Sequence, residues 1–153
     1  MNKIGDVQVA RNDLAGALKS YTEGYEIRRA LYEQDKSHAE RARDVSVSLD
    51  RIGDVQVARN DLAGALKSYT EGYEISRALY EQDKSHAERA RDVFVSLIKL
   101  GSTLENKGDA AGACERYRET REINAALAKA APDKHVLKTD GEWLAERMNE
   151  AGC

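Results

Sequence analysis

Apolar residues recur every three or four positions along most of the chain, which is the spacing of one face of an α-helix. One such run follows Ser85-His86-Ala87-Glu88, which has the spacing of a capping box. Another follows Asp61, a favoured N-cap residue. The sequence carries no strand pattern, so it predicts an all-α chain. The two apolar faces consist of Ala90, Val93, Leu97 and Leu100, and of Leu62, Ala65, Leu66, Tyr69, Tyr73 and Tyr80.

The same helix pair is encoded twice with almost no change. Residues 3–50 and 51–98 differ at only four of 48 positions. A third, diverged copy starts at residue 99 and has Gly108-Asp109 where the second copy has Asn60-Asp61. A period of this length predicts stacked helical units, each contacting mainly its neighbours. The four differing pairs are Lys3 and Arg51, Arg28 and Ser76, Ser46 and Phe94, and Asp50 and Ile98.

We expect one repeat domain over residues 1–153, with a short first unit and a closed C-terminal end. Thr139-Asp140-Gly141-Glu142 has the spacing of a second capping box and predicts the start of a last helix, on which Trp143 covers the last repeat. The first unit lacks half a helix, which favours a fragment of a longer array over a naturally short helix. The predicted segments are an incomplete repeat 1 (1–36), repeat 2 (37–84), repeat 3 (85–131), and a loop with a capping helix (132–153).

The repeat resembles the tetratricopeptide repeat (TPR) family. Leu49-x-x-Ile52-Gly53, followed by Asn60-Asp61-Leu62-x-x-Ala65-Leu66-x-x-Tyr69-x-x-Gly72, follows the family pattern of L-G, G-D, small and aromatic positions. The resemblance implies a TPR-like α-solenoid of antiparallel helix pairs. The period is 48 residues rather than the usual 34, and seven extra residues per helix, close to two turns, would lengthen both helices without rotating their apolar faces.

The resemblance also implies a binding site. First helices of TPR pairs line a concave groove that holds a peptide or a helix. One family binding mode clamps a C-terminal carboxylate with lysine and asparagine. Here Asp50 and Ile98 stand at the lysine position and Asp6, Asp54 and Ser102 at the asparagine position, so we expect no binding of acidic chaperone tails. The predicted groove residues are Asp6, Val47, Asp50, Asp54, Phe94, Val95, Ile98 and Ser102.

Two of these residues allow two interpretations. Phe94 and Ile98 replace the polar Ser46 and Asp50 of the second copy, four positions apart on one face. They could anchor a partner's apolar side chain, with the aspartates Asp50 and Asp54 favouring basic residues nearby. They could instead pack against the diverged third unit and its capping helix.

Composition excludes several classes of partner. The chain has 24 Lys and Arg against 27 Asp and Glu, a formal net charge of −3, and therefore no basic face for nucleic acid. No apolar run approaches the length that spans a bilayer. Two cysteines make no disulfide framework, which predicts a cytoplasmic protein. We expect Cys114 to be a buried apolar residue and Cys153 an exposed free thiol.

No residues stand at the spacing of a catalytic, cofactor or metal site. His38 and His86 are copies 48 residues apart at predicted helix starts, and His135 has no ligand at metal spacing. The sequence therefore predicts a non-enzyme without cofactor or metal. Its expected work is protein–protein interaction, as a scaffold or recognition module that binds a peptide or helix. The alternative is a structural or engineered repeat array that self-associates end to end through its open N-terminal face.

Overall fold

The chain folds into α-helices, and short turns join those up to residue 130. A computed structural model describes residues 2–130 and 135–153. Helices that follow one another through a three-residue turn must run antiparallel. The predicted all-α fold of antiparallel helix pairs closed by a final helix is confirmed in these ranges. The helices are α1 (Lys3–Ala10), α2 (Leu14–Gln34), α3 (Ala39–Ala58), α4 (Leu62–Gln82), α5 (Ala87–Asn106), α6 (Ala110–Ala130) and α7 (His135–Glu150).

The chain divides into two compact units, Met1–Leu79 and Tyr80–Cys153. In the first unit α2 packs between α1 and α3, and in the second unit α6 packs between α5 and α7. Each unit has a core in which small and aromatic residues of a second helix meet aliphatic residues of the next first helix. These cores consist of Ala17, Tyr21, Ile52 and Val55, and of Ala113, Tyr117, Leu144 and Met148.

The turn inside each helix pair has a conformation that its sequence explains. Its second residue is left-handed, with φ of 59° at Asn12, 60° at Asn60 and 87° at Gly108. Glycine and asparagine tolerate this conformation best, which accounts for the Asn-Asp and Gly-Asp pairs. The aspartate then caps the second helix, as predicted for Asp61. The carboxylates of Asp13, Asp61 and Asp109 accept from the backbone N–H groups of Gly16, Gly64 and Gly112, each at 2.9 Å.

The first helices are capped differently from the prediction. The N-cap of α5 is His86, whose Nδ1 lies 3.5 Å from the backbone nitrogen of Arg89. Ser85 instead donates its hydroxyl to Asp83 Oδ1 at 2.5 Å. The proposed Ser85–Glu88 capping box is therefore wrong, because the helix begins one residue later than the box requires, and the backbone N–H of Ser85 donates to Asp83 instead of to Glu88. Ser37 and His38 repeat this arrangement before α3.

The last helix begins earlier than predicted. It starts at His135, and the two preceding first helices start at Ala39 and Ala87, so the 48-residue period continues into α7. The box proposed at Thr139 is wrong, because these residues lie inside the helix. The prediction for Trp143 is also wrong, since 43% of it is exposed while Leu144 and Met148 are 1% and 7% exposed. The predicted loop from 132 falls partly outside the described residues.

Candidate functional site

A tyrosine ring packed on a glycine joins the two helices of each pair. A Cβ added to Gly53 would lie 2.7 Å from Cδ1 and 2.8 Å from Cζ of Tyr69, so a larger residue would push the ring away. Tyr69 is buried. The close approach explains why glycine, a poor helix former, stands in these helices. We call each such pair a glycine–tyrosine contact; the other two are Gly5 with Tyr21 and Gly101 with Tyr117.

The tyrosine hydroxyls donate to carboxylates that the sequence had assigned to the groove. Tyr21 donates to Asp6 at 2.6 Å and Tyr69 donates to Asp54 at 2.5 Å. Arg51 also donates to Asp6, at 2.8 Å. These hydrogen bonds fix the aspartates against the helix pair, so part of their accepting capacity is already used. In the third pair Tyr117 donates to Glu105, which also accepts from Arg147 at 3.0 Å.

These environments shift the tyrosine pKa values in one direction. Burial, followed by the hydrogen bond to Asp54, raises the pKa of Tyr69 far above its ordinary value of 10.0. Burial also raises the pKa of Tyr21 and of Tyr117, with the bonded carboxylates as the next cause. The folded state therefore favours the neutral phenols relative to the unfolded state.

We expect the protein to lose stability above about pH 10, where tyrosines of the unfolded chain ionise. A pKa that is higher in the folded state contributes stability that is complete below the unfolded value and declines as the pH rises towards the folded value. Urea unfolding between neutral and alkaline pH measures the effect. Tyr69→Phe cannot ionise, so its stability should fall less steeply than that of the wild type. If the stability of the two proteins fell equally steeply as the pH rose, the raised pKa of Tyr69 would be contradicted.

In the first unit, the predicted groove residues differ in exposure. Asp54 and Val47 are exposed, Val47 by 37%. Asp6 and Asp50 are half-buried. Asp50 lies beside α4, with Oδ1 3.3 Å from the place where a Cβ on Gly72 would be. Of these four residues, Val47 is the apolar side chain open to a partner.

In the second unit, one of the predicted residues is buried and another is half-buried against a core cluster. Phe94 is only 5% exposed, and the Arg91 guanidinium lies 4.9 Å from its ring centroid. Ile98 packs against the cluster that Leu144 and Met148 form with α6. These contacts favour the packing interpretation of Phe94 and Ile98 over the anchor interpretation. Val95 and Ser102 are half-buried.

A cavity of about 450 Å³ opens beside Val47 in the first unit. It lies between α2 and α3 and next to Asn2, the N-cap of α1. Sequence reasoning missed it, although Arg28 in its wall is one of the four positions that distinguish the first two repeats. The cavity is lined by Asn2, Tyr21, Arg28, Arg43, Asp44, Val47, Ser48 and Arg51.

The two cysteines form a disulfide, which corrects the expectation of a free thiol at Cys153. Their Cα atoms are 5.5 Å apart, and the bond ties α6 to the residues that follow α7. Cys114 is buried as expected, at 6% exposure. The pairing removes the cysteine argument for a cytoplasmic location, because disulfides persist mainly in oxidising compartments.

The described ranges contain neither a metal-ion cluster nor a membrane-spanning helix. Within residues 2–130 and 135–153, no group of three or more His, Cys, Asp and Glu side chains could hold a metal ion. No described helix combines the length and the apolar character needed to cross a membrane.

Comparison with known proteins gives little further information. No protein-family model matches the chain, and no curated protein has a matching sequence. Two solved structures, titled as crystal structures of MamA, resemble it. One is 14% identical, covers 97% of this chain and 86% of its own, and has a TM-score of 0.36. The other is 16% identical, covers 97% and 94%, and has a TM-score of 0.30. Likenesses this distant assign neither a family nor an activity.

Proposed function

We propose that the chain is a protein–protein interaction module, and that it offers an apolar surface at one end to a partner. The observation that carries this proposal is the distribution of exposed apolar side chains. Of the seven large apolar residues found exposed in the described ranges, five lie on α1 and α2. Such a cluster on a chain this small is typical of an interaction site. Val9 instead lines a cavity with Val55 and Ala58 of α3. We call the other four the N-terminal apolar face; it consists of Ile4, Val7, Ile27 and Leu31.

The second repeat supports this interpretation, because three of the four equivalent residues, Ile52, Val55 and Leu79, are buried. Ile4 is 69% exposed whereas Ile52, one period later, is 7% exposed. Leu31 and Leu79 differ in the same way, at 43% and 7%. Ile52 is buried against the core residues of α2. The same residue types are thus covered in the second repeat, which supports a partner's apolar surface as the cover of the N-terminal apolar face.

We expect Ile27→Glu to abolish capture of the partner from a lysate of the source cells while leaving the melting temperature unchanged. Ile27 is 65% exposed, so a charge there stays hydrated in the free protein but would be buried in the complex. Trp143→Glu is the matched control, because it places the same charge at an exposed apolar residue of the second unit. A partner that Ile27→Glu still captures as well as the wild type would disprove the proposed surface.

The groove expected from the TPR resemblance is proposed as a second contact surface. Asp6, Val47, Asp50 and Asp54 would supply its first part. The exposure of Val47 and the cavity beside it support this placement. The tyrosine hydrogen bonds to Asp6 and Asp54 hold their carboxylates in place, and carboxylates repel a terminal carboxylate. The clamp that binds acidic chaperone tails is therefore not expected here.

Self-association is the second candidate function, and the same face favours it. Two copies could cover their N-terminal apolar faces against each other and bury the side chains that each leaves open. Sedimentation velocity over a wide concentration range distinguishes this from recognition of another protein. An assembly unit would gain mass with concentration as wild type and as Trp143→Glu, but not as Ile27→Glu. A module for a different partner would stay monomeric in all three forms.

A further inference from the structure

Helix α6 holds α7 in a different way from that in which α2 holds α3. Three half-buried apolar residues of α2 pack against the core cluster shared with α3, namely Leu14, Leu18 and Tyr25. Two periods of 48 residues later, α6 has Ala110, Cys114 and Arg121 at these positions. Ile98 and Leu104 of α5 and Leu144 of α7 make up part of the lost apolar contact. The sulfur of Cys114 thus stands where α2 has a leucine.

The disulfide replaces that leucine contact with a covalent one. Cys114 is bonded to Cys153, and the bond ties α6 to the residues that follow α7. Two ion pairs also join α7 to its unit, but their side chains are 18% to 44% exposed, and ion pairs in such positions contribute little. The disulfide therefore supplies a part of the attachment of α7 that apolar packing supplies for α3. The two pairs are Arg147 with Glu105 and Arg91 with Asp140.

Helix α7 covers an apolar surface that belongs to α5 and α6. Ala113 and Tyr117 of α6 are 0% exposed, in the same cluster as Leu144 and Met148 of α7. Ile98 of α5 packs against this cluster. If α7 left, these side chains of α5 and α6 would face water, which is unfavourable for apolar groups. The vacated surface would then favour the binding of another helix.

The same surface selects a cation on the helix that it receives. The Tyr117 hydroxyl donates to the Glu105 carboxylate, and Arg147 of α7 donates to that carboxylate at 3.0 Å. Hydrogen bonds between charged groups are stronger than those between neutral ones. A helix without a basic residue at this position would leave the carboxylate without its cation.

The first unit shows the same arrangement. Tyr21 donates to Asp6 at 2.6 Å, and Arg51 of α3 donates to Asp6 at 2.8 Å. Arg51 lies two periods before Arg147, and each arginine directly precedes an apolar residue of its core cluster. These apolar residues are Ile52 and Met148. In both units, the helix that docks on a pair thus carries a basic residue followed by an apolar one.

We propose that reduction of the Cys114–Cys153 disulfide releases α7, and that the vacated surface then binds an amphipathic helix of a partner protein. The partner helix has two apolar residues four positions apart, as Leu144 and Met148 are. It has an arginine or lysine directly before the second of them, which binds Glu105. In the oxidised protein α7 occupies this place and excludes the partner. The surface lies in the second unit, so the inference goes beyond the N-terminal apolar face and does not depend on it.

The reductant is a dithiol, and the exchange has two steps. Cys153 is exposed and Cys114 is buried, so a thiolate of the reductant attacks the sulfur of Cys153. Cys114 leaves as a thiolate and takes up a proton. The second thiolate of the reductant then attacks the reductant's own sulfur in the mixed disulfide and releases Cys153. The protein gains two electrons and two protons, and the reductant becomes a cyclic disulfide.

Hydrogen exchange of the full chain, with and without a dithiol reductant, tests the release. We expect the amides of α7 to exchange about a hundredfold faster after reduction, because the bond no longer opposes local opening of the helix. Cys153→Ser should show the fast exchange in both conditions. Helix α3 is the internal control, since no disulfide holds it on α2 and its exchange should not change. Unchanged exchange of α7, or equal acceleration in α3, would overturn the release.

Two fluorescent peptides test what the vacated surface binds. One carries residues 135–150, which include no cysteine, and the other carries the same residues with Arg147→Glu. In fluorescence anisotropy, we expect the unchanged peptide to bind Cys153→Ser about tenfold more tightly than the oxidised wild type, because the competing α7 is released more often. The Arg147→Glu peptide should bind Cys153→Ser about tenfold more weakly than the unchanged peptide, because its carboxylate meets that of Glu105.

Each part of the proposal has its own contrary result. Equal affinity of the two peptides for Cys153→Ser would overturn the selection of a cation. No binding of the unchanged peptide, or equal binding to Cys153→Ser and the oxidised wild type, would overturn the docking site. If the reduced wild type bound no peptide and gained mass with concentration in sedimentation velocity, α7 of a second copy would be the occupant, which also contradicts the proposal. Ile27→Glu should leave all these results unchanged, so they are independent of the N-terminal apolar face.

Discussion

Tyr69→Ala is expected to lower the free energy of unfolding by about 3–5 kcal/mol, as for other buried aromatic side chains truncated to alanine. The ring is 3% exposed and fills the space that Gly53 leaves between the two helices of its pair. Its loss opens a cavity at the point of closest approach. Since small domains are stable by about 5–15 kcal/mol, this single change would remove a large share of the total. Urea unfolding followed by circular dichroism measures it.

Two further variants distinguish the contribution of the Tyr69 ring to stability from that of its hydroxyl and from that of its contact with Gly53. Tyr69→Phe keeps the ring and should lose only about 1 kcal/mol, because Asp54 is exposed and water replaces the lost donor. Gly53→Ala should destabilise the wild type, since the clash outweighs the gain of up to about 1 kcal/mol in helix propensity. In the Tyr69→Ala background the same change should stabilise. Additive effects in this double-mutant cycle would show that the two residues do not act through their contact.

Reduction of the Cys114–Cys153 disulfide is expected to lower the free energy of unfolding by about 4 kcal/mol. The bond closes a loop with a sequence separation of 39, and the chain-entropy relation gives about this value for such a loop. It also holds the end of the chain on α6, beside the cluster formed by Leu144 and Met148. Urea midpoints with and without a reductant measure the loss, and thiol titration verifies the redox state.

The matched variant is Cys153→Ser. Cys153 is exposed, so serine at this position places no polar group in the core, unlike serine at Cys114. Its urea midpoint should equal that of the reduced wild type and should not respond to reductant. A wild type whose midpoint is the same in the oxidised and reduced forms would refute a stabilising role for the bond.

The helices were predictable because their signals are local. Apolar spacing fixes which segments form helices, and the left-handed residue at Asn60 or Gly108 with the following aspartate fixes the turns. The cap of α5 was not predictable, because Ser85 and His86 are both polar and the path of the turn decides which of them precedes the first helical residue. The start of α7 was obscured by sequence divergence, although Met148 continues the 48-residue period of Ile52.

The candidate site was less predictable, because it depends on which elements are neighbours. The sequence identified Phe94 and Ile98 as unusual, but only the position of the last helix decides that Ile98 packs inwards. Arg28 also differs between the copies, yet only the packing of α2 beside α3 shows that it lies in the wall of a cavity. The cysteine pair required α7 to return along α6, which no residue spacing indicates.

The glycine–tyrosine contacts also bear on how the chain folds. The hydrogen bonds of Tyr21 and Tyr69 each span only 15 residues, so a helix pair can assemble its own contact before any distant part of the chain arrives. Proteins dominated by such short-range contacts fold quickly, because little loop entropy is lost before the contacts form. In a repeat chain, folding can begin in any unit and spread to its neighbours. The three helix pairs would then be alternative folding nuclei. A mutation that disrupts one pair would shift the start of folding to another pair rather than prevent folding.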